Sequence, residues 1–149
     1  MARFDSYKSA VRNLGMLSAV NWFVQKKLSS EVLKLTSKCS SHPLFARRGT
    51  SDLWVFNQIF VQREYRCLDN LTNPSLIVDL GANVGYSSAY FLSHFPKSYV
   101  IAVEPDPANF EILRRNLRPY SGRYKAVQAA VWPRKEGGGF RGQFNAARI

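Results

Sequence analysis

A chain of 149 residues, 46% hydrophobic and 21% charged, is long enough to bury one core and has the make-up of an ordinary globular domain rather than a disordered tail. Its formal net charge of +11 runs from Arg3 to Arg148 with acids interleaved and no like-charge block beyond short pairs such as Lys26-Lys27, Arg47-Arg48 and Arg114-Arg115, which argues for a generally basic surface and against a dedicated nucleic-acid face. Cys39 and Cys67 lack Cys-x-x-Cys spacing, so neither a zinc site nor a redox motif is indicated, no metal is expected, and a reducing, cytoplasmic compartment is the simplest assumption.

In chain order, Val11, Leu14, Leu17, Val20, Val24 and Leu28 recur every three or four residues and predict one face of a helix over 7–28, with Gly15 in its middle. Lys8, Arg12 and Lys26 on its other edge, with Trp22 and Phe23, would suit peripheral contact with an anionic membrane, although packing on its own domain is the commoner fate. The apolar run from Leu14 to Val24 starts too late for a signal peptide and is too short to cross a bilayer. Two extended runs, 31–36 and 42–48, flank the turn-like Ser37-Lys38-Cys39-Ser40-Ser41 and predict a hairpin. His42, beside Pro43, reads as structural. Gly49-Thr50-Ser51-Asp52 predicts a helix start with Thr50 or Ser51 as N-cap. Asp52 is then explained by the helix terminus more cheaply than as a catalytic acid. The helix would bury Leu53, Phe56, Ile59 and Phe60.

From Leu76 the rhythm changes. Leu76-Ile77-Val78-Asp79-Leu80 reads as a strand buried on both faces, followed by helix 87–95, strand 99–103, helix 109–117 and strand 125–131. Strand alternating with helix predicts a parallel sheet covered by helices on both faces, with a nucleotide-like ligand at the carboxyl ends of the strands.

The chemistry sits where the first of these strands ends. In Asp79-Leu80-Gly81-Ala82-Asn83-Val84-Gly85-Tyr86-Ser87-Ser88, Gly81 permits a tight turn and close approach of a ligand, and Gly85 permits close passage of the helix against the strand. About 20 residues further on, Glu104 ends the next strand, where an acid accepts hydrogen bonds from ribose hydroxyls. A turn paired with an acid implies an adenosine-containing cofactor. A dinucleotide site needs Gly-x-Gly-x-x-Gly to rest a pyrophosphate on bare backbone, and Asn83 and Tyr86 occupy the second and third of those positions. S-adenosylmethionine, without a phosphate, is therefore favoured over an NAD-type dinucleotide.

The strings Ile77-Val78-Asp79-Leu80-Gly81-Ala82-Asn83-Val84-Gly85-Tyr86-Ser87 and Val103-Glu104-Pro105-Asp106-Pro107-Ala108-Asn109-Phe110, followed by Leu113-Arg114-Arg115-Asn116-Leu117, resemble the FkbM methyltransferase family. The upstream Arg48-Gly49-Thr50-Ser51-Asp52 and Val55-Phe56-Asn57-Gln58-Ile59-Phe60-Val61 are similar to that family's lead-in, so the resemblance covers residues 42–132. It implies an α/β, Rossmann-like class I methyltransferase fold and methyl transfer, often to the hydroxyl oxygen of a small molecule or glycan. Carried over, Asp79 and the backbone of Gly81, Ala82, Asn83 and Gly85 hold the methionine end of S-adenosylmethionine, Glu104 clasps the ribose, and Pro105 and Asp106 border the adenine. Tyr86 and Ser87 either line the pocket or begin the helix.

The resemblance also implies a later strand with a pattern like Leu-Lys-Ile-Asp-Val-Glu-Gly, and no such segment follows Trp132-Pro133. The division expected is a lead-in over 1–70, a cofactor-binding half over 71–133 and a flexible Gly- and Arg-rich tail over 134–149. The fold is then incomplete at its C-terminus, no catalytic base is identified, and Leu76–Leu80 forms an apolar edge open to self-association. The alternatives are a non-catalytic interaction module that keeps the cofactor-binding half, and a tail that touches RNA, for which it is short.

Overall fold

The computed structural model describes residues 11–13, 15 and 31–131. Most of the helix expected over 7–28, and the tail expected over 134–149, lie outside these. Val11, Arg12 and Asn13 are helical, and the Asn13 side chain donates to the Val61 carbonyl at 2.6 Å. Gly15, expected within the helix, has φ +88° instead, a left-handed conformation that glycine adopts without a Cβ penalty.

The expected hairpin forms from β1 (Val32–Leu35) and β2 (Leu44–Arg47), antiparallel with Val32 opposite Arg47 and Leu35 opposite Leu44. Alternation buries Leu33, Leu35, Leu44 and Ala46 on one face. Next, α1 (Asp52–Phe56) runs into a π-helical turn, Asn57–Val61, and a 3-10 segment, Glu64–Leu68. Phe56, Ile59 and Phe60 enter the core as expected.

The remainder is β3 (Leu76–Leu80), α2 (Tyr86–His94), β4 (Tyr99–Val103), α3 (Pro107–Leu117), a 3-10 turn at Arg118–Tyr120 and β5 (Tyr124–Val127). The strands form a parallel sheet in the order β3-β4-β5, with Asp79 level with Ala102 and Leu80 with Val103. The protein is thus a mixed α/β, Rossmann-like fold.

Two expectations about this sheet are corrected. Successive right-handed crossovers that advance the same way across a sheet put their helices on one face, so α2 and α3 do not cover both. In consequence β3 is not buried on both faces: Leu76, Val78 and Leu80 are 52%, 53% and 56% exposed, while Val100 and Ala102, level with Ile77 and Asp79 on the helix-covered face, are fully buried.

One buried amide makes three of the bonds by which the hairpin docks on the helices. Asn116, on α3 and fully buried, accepts from the Phe45 amide at 2.7 Å and donates to the Phe45 carbonyl at 3.1 Å and the Val84 carbonyl at 2.8 Å. It satisfies backbone groups that an inward strand edge would otherwise leave unpaired. The Tyr86 hydroxyl adds a bond to the Phe45 carbonyl at 2.8 Å. Hairpin, lead-in and sheet therefore share one hydrophobic core, which includes Leu33, Phe56, Val84, Tyr90, Val100 and Leu113. His42 is structural, packing edge-on against Tyr120 with ring centroids 4.9 Å apart.

Candidate cofactor site

The site grows from the turn after β3. Gly81 leaves the strand at φ +80°, and the amides of Gly81 and Ala82 both donate to the Val103 carbonyl at 2.9 Å, which ties the turn to the end of β4. Asn83 holds φ +50°, a left-handed conformation that Asn tolerates better than most residues. Gly85, at φ +82°, precedes α2, and a Cβ there would lie 3.1 Å from Leu113 Cγ and 3.2 Å from Leu113 Cα. The close passage expected of Gly85 is therefore real, but its neighbour is helix α3 and not the strand.

Glu104 is 6% exposed and joins two turns. Its Oε2 accepts from the Asn83 amide at 2.9 Å, and its Oε1 accepts from the Asp106 amide at 3.0 Å and from Asn109 Nδ2 at 3.4 Å. A carboxylate offers about four acceptor positions, so the described residues fill all but one, and the remaining one is on Oε2. This buried carboxylate is not an exposed helix-cap acid. The cap of α3 is Asp106, whose Oδ1 accepts from the Asn109 amide at 2.8 Å, so α3 starts at Pro107 and not at Asn109. Pro105 and Asp106 are exposed.

Asp79, half-buried at the end of β3, accepts on Oδ2 from the Ser87 and Ser88 hydroxyls at 2.7 and 2.6 Å. It lies beside the start of α2, where the helix dipole favours an anion. Ser87 thus both begins the helix and orients Asp79. Tyr86 begins the helix too, with its ring buried against Phe56 and Phe60.

Gly81, Ala82, Asn83, Tyr86 and Ser87 form one wall of a cleft of about 280 Å³. The opposite wall comes from Trp54, Val55, Gln58, Ile59, Glu64 and Tyr65; Val55, Gln58 and Ile59 belong to the lead-in string, but the motifs assign none of the six to the site. The signal available in the sequence was Trp54, a large aromatic off the face that Leu53, Phe56 and Phe60 make; it is 65% exposed, which packing does not explain. Burial pushes the Tyr86 phenol well above its ordinary 10.0, and burial, with the Asp79 and Glu64 carboxylates, raises that of Tyr65. Both are therefore neutral hydrogen-bonding groups near neutral pH and poor bases.

One buried polar atom in the cleft wall, Asn83 Oδ1, has no hydrogen-bond partner. Buried side-chain oxygens are seldom left unsatisfied, so this orphan acceptor, on the residue whose amide bonds to Glu104 Oε2, fits a ligand that brings donors. S-adenosylmethionine carries such donors in its ribose hydroxyls and α-ammonium. Among the described residues no group of three or more His, Cys, Asp and Glu is placed to hold a metal ion.

No protein-family model matches the chain. It is 36% identical over 64 residues to Methyltransferase sdnD of Sordaria araneosa, covering 43% of this chain and 24% of that protein. It is 35% identical over 66 residues to Methyltransferase 1 of Beauveria bassiana, covering 43% and 25%, and 36% identical over 81 residues to the AMB antimetabolite synthetase AmbE of Pseudomonas aeruginosa, covering 53% and 4%. The stretch shared with either methyltransferase is about a quarter of that protein's length. The comparisons thus place on a Rossmann-like frame a partial similarity to proteins named methyltransferases.

Proposed function

We propose that this chain provides the S-adenosylmethionine-binding part of a methyltransferase of the FkbM type, acting on a hydroxyl of a small molecule or glycan. The observation that carries the reading is Glu104, a nearly buried carboxylate at the carboxyl end of β4, bonded to the turn after β3 and keeping one acceptor position on Oε2. The bound cofactor would supply an electrophilic methyl group. Glu104 Oε2 would accept from a ribose hydroxyl, Asp79 Oδ1 would face the α-ammonium, and Asn83 Oδ1 would take a further donor. Pro105 and Asp106 would border the adenine. Asn83 and Tyr86, which stand where a dinucleotide turn has glycines, weigh against NAD. A cytoplasmic setting suits such a cofactor. Among the described residues no helix is long and apolar enough to cross a membrane.

The test is isothermal titration with S-adenosylhomocysteine, with circular dichroism as a check on folding. Wild-type protein should bind, and Glu104→Ala should bind at least about tenfold more weakly, the scale of a hydrogen bond to a charged group. A folded wild type that takes up no ligand would overturn the reading. A second reading, an interaction module built on the same fold, is favoured by the exposed Leu76, Val78 and Leu80.

A further inference from the structure

We infer that Asn109 is a positioning residue for the ribose-binding carboxylate, linking Glu104 to the lead-in through Arg47. The inference rests on the cofactor reading of Glu104 given above. Asn109 Oδ1 accepts from Arg47 Nη2 at 2.6 Å, and Asn109 Nδ2 donates to Glu104 Oε1 at 3.4 Å. The two neighbours fix the orientation of the amide, because a guanidinium only donates and a carboxylate only accepts. Arg47 is itself held by Asp52, with Nε 3.0 Å from Oδ2 and Nη2 2.9 Å from Oδ1. A single chain of bonds therefore runs from α1, through the last residue of β2 and the first turn of α3, to Glu104.

Only a side chain that accepts at one end and donates at the other completes this chain between a cation and an anion. The substitution Asn109→Asp would keep the Arg47 contact but set a like charge against Glu104. Alanine would remove both contacts while leaving the Arg47–Asp52 pair and the backbone cap from Asp106 in place. Asn109 is the second donor on Oε1 after the Asp106 amide at 3.0 Å, and Oε2, bonded to the Asn83 amide at 2.9 Å, keeps its remaining acceptor position for the ligand. Without Asn109, Glu104 keeps only the Asp106 and Asn83 amides, at 3.0 and 2.9 Å, to resist rotation, and the geometric selection of a ribose hydroxyl weakens.

The test compares S-adenosylhomocysteine with its 2′-deoxy analogue by isothermal titration of the full chain. Wild type should discriminate against the analogue by roughly ten- to a hundredfold, the worth of a hydrogen bond to a charged group. In Asn109→Ala and in Asn109→Asp that ratio should fall by about threefold or more, a change in selectivity that general destabilisation does not produce. If either variant fails to fold, the other decides. Affinity that falls equally for both ligands, or a ratio that stays at the wild-type value, would overturn the inference and leave the cofactor reading standing. No binding of either ligand by wild type would overturn both.

Discussion

Asp52 is fully buried, whereas its partner Arg47 is 22% exposed. Burial alone would raise the Asp52 carboxyl, but the Arg47 hydrogen bonds outweigh it and hold the pKa below the ordinary 3.8. Because the folded pKa lies below the unfolded one, the unfolded chain takes up this proton first. The contribution is therefore complete above about 3.8 and is lost as pH falls through the folded value. Asp52→Asn should cost roughly 2–3 kcal/mol in urea unfolding at neutral pH, less than a fully buried pair because Arg47 reaches water and Asn109. The gap between wild type and variant should narrow in melts carried out below the ordinary Asp value. A gap independent of pH would show that the charge is not what matters. From sequence Asp52 is legible only as a helix-start acid. Ser51 is the N-cap but makes no side-chain cap bond, and the Asp52 amide bonds to Thr50 Oγ1 at 3.2 Å instead. The ion pair with Arg47 required the hairpin to be in place.

Gly81 and Gly85 flank the same turn at nearly equal φ, +80° and +82°, but they differ in surroundings. Nothing lies within 4 Å of a Cβ added at Gly81, whereas one at Gly85 meets the backbone and side chain of Leu113. Gly81→Ala should cost about 1–2 kcal/mol for the left-handed conformation alone. Gly85→Ala should cost that plus roughly 1–3 kcal/mol for forcing α2 and α3 apart. Chemical denaturation of the two variants checks this, and equal losses would remove the packing argument. Most elements were legible from periodicity: the hairpin, β3, α2 and β4 fall within a residue or two of expectation. The last strand, β5, stops at Val127 and not at Val131, because Val127 opposite Val103 is the last register position that β4 offers.

At the scale of the whole molecule, the feature without a local explanation is the bare face of the sheet. Leu76, Val78 and Leu80 present apolar side chains to solvent on a strand paired on one side only, among the described residues. Adjacent apolar groups on an open strand edge promote association. Wild-type protein should therefore show concentration-dependent self-association in sedimentation velocity, and Val78→Lys should shift it towards monomer without loss of helical signal. A wild type that stays monomeric at every concentration would show that this face is not adhesive. The net charge of +11 opposes association, so added salt should strengthen it.

The α/β class, the hairpin, the order of strands and helices, and the pairing of the Gly81–Gly85 turn with Glu104 all follow from the order of residues alone. These depend on residues close along the chain, where periodicity, turn chemistry and motif spacing act. Other features arise only where distant segments meet: both helices share one face of the sheet, Gly85 makes room for Leu113, Asn116 carries the hairpin, and Asn109 lies between Arg47 and Glu104. No local pattern encodes those contacts, because each partner is an ordinary residue until the fold brings the other within hydrogen-bonding or van der Waals reach.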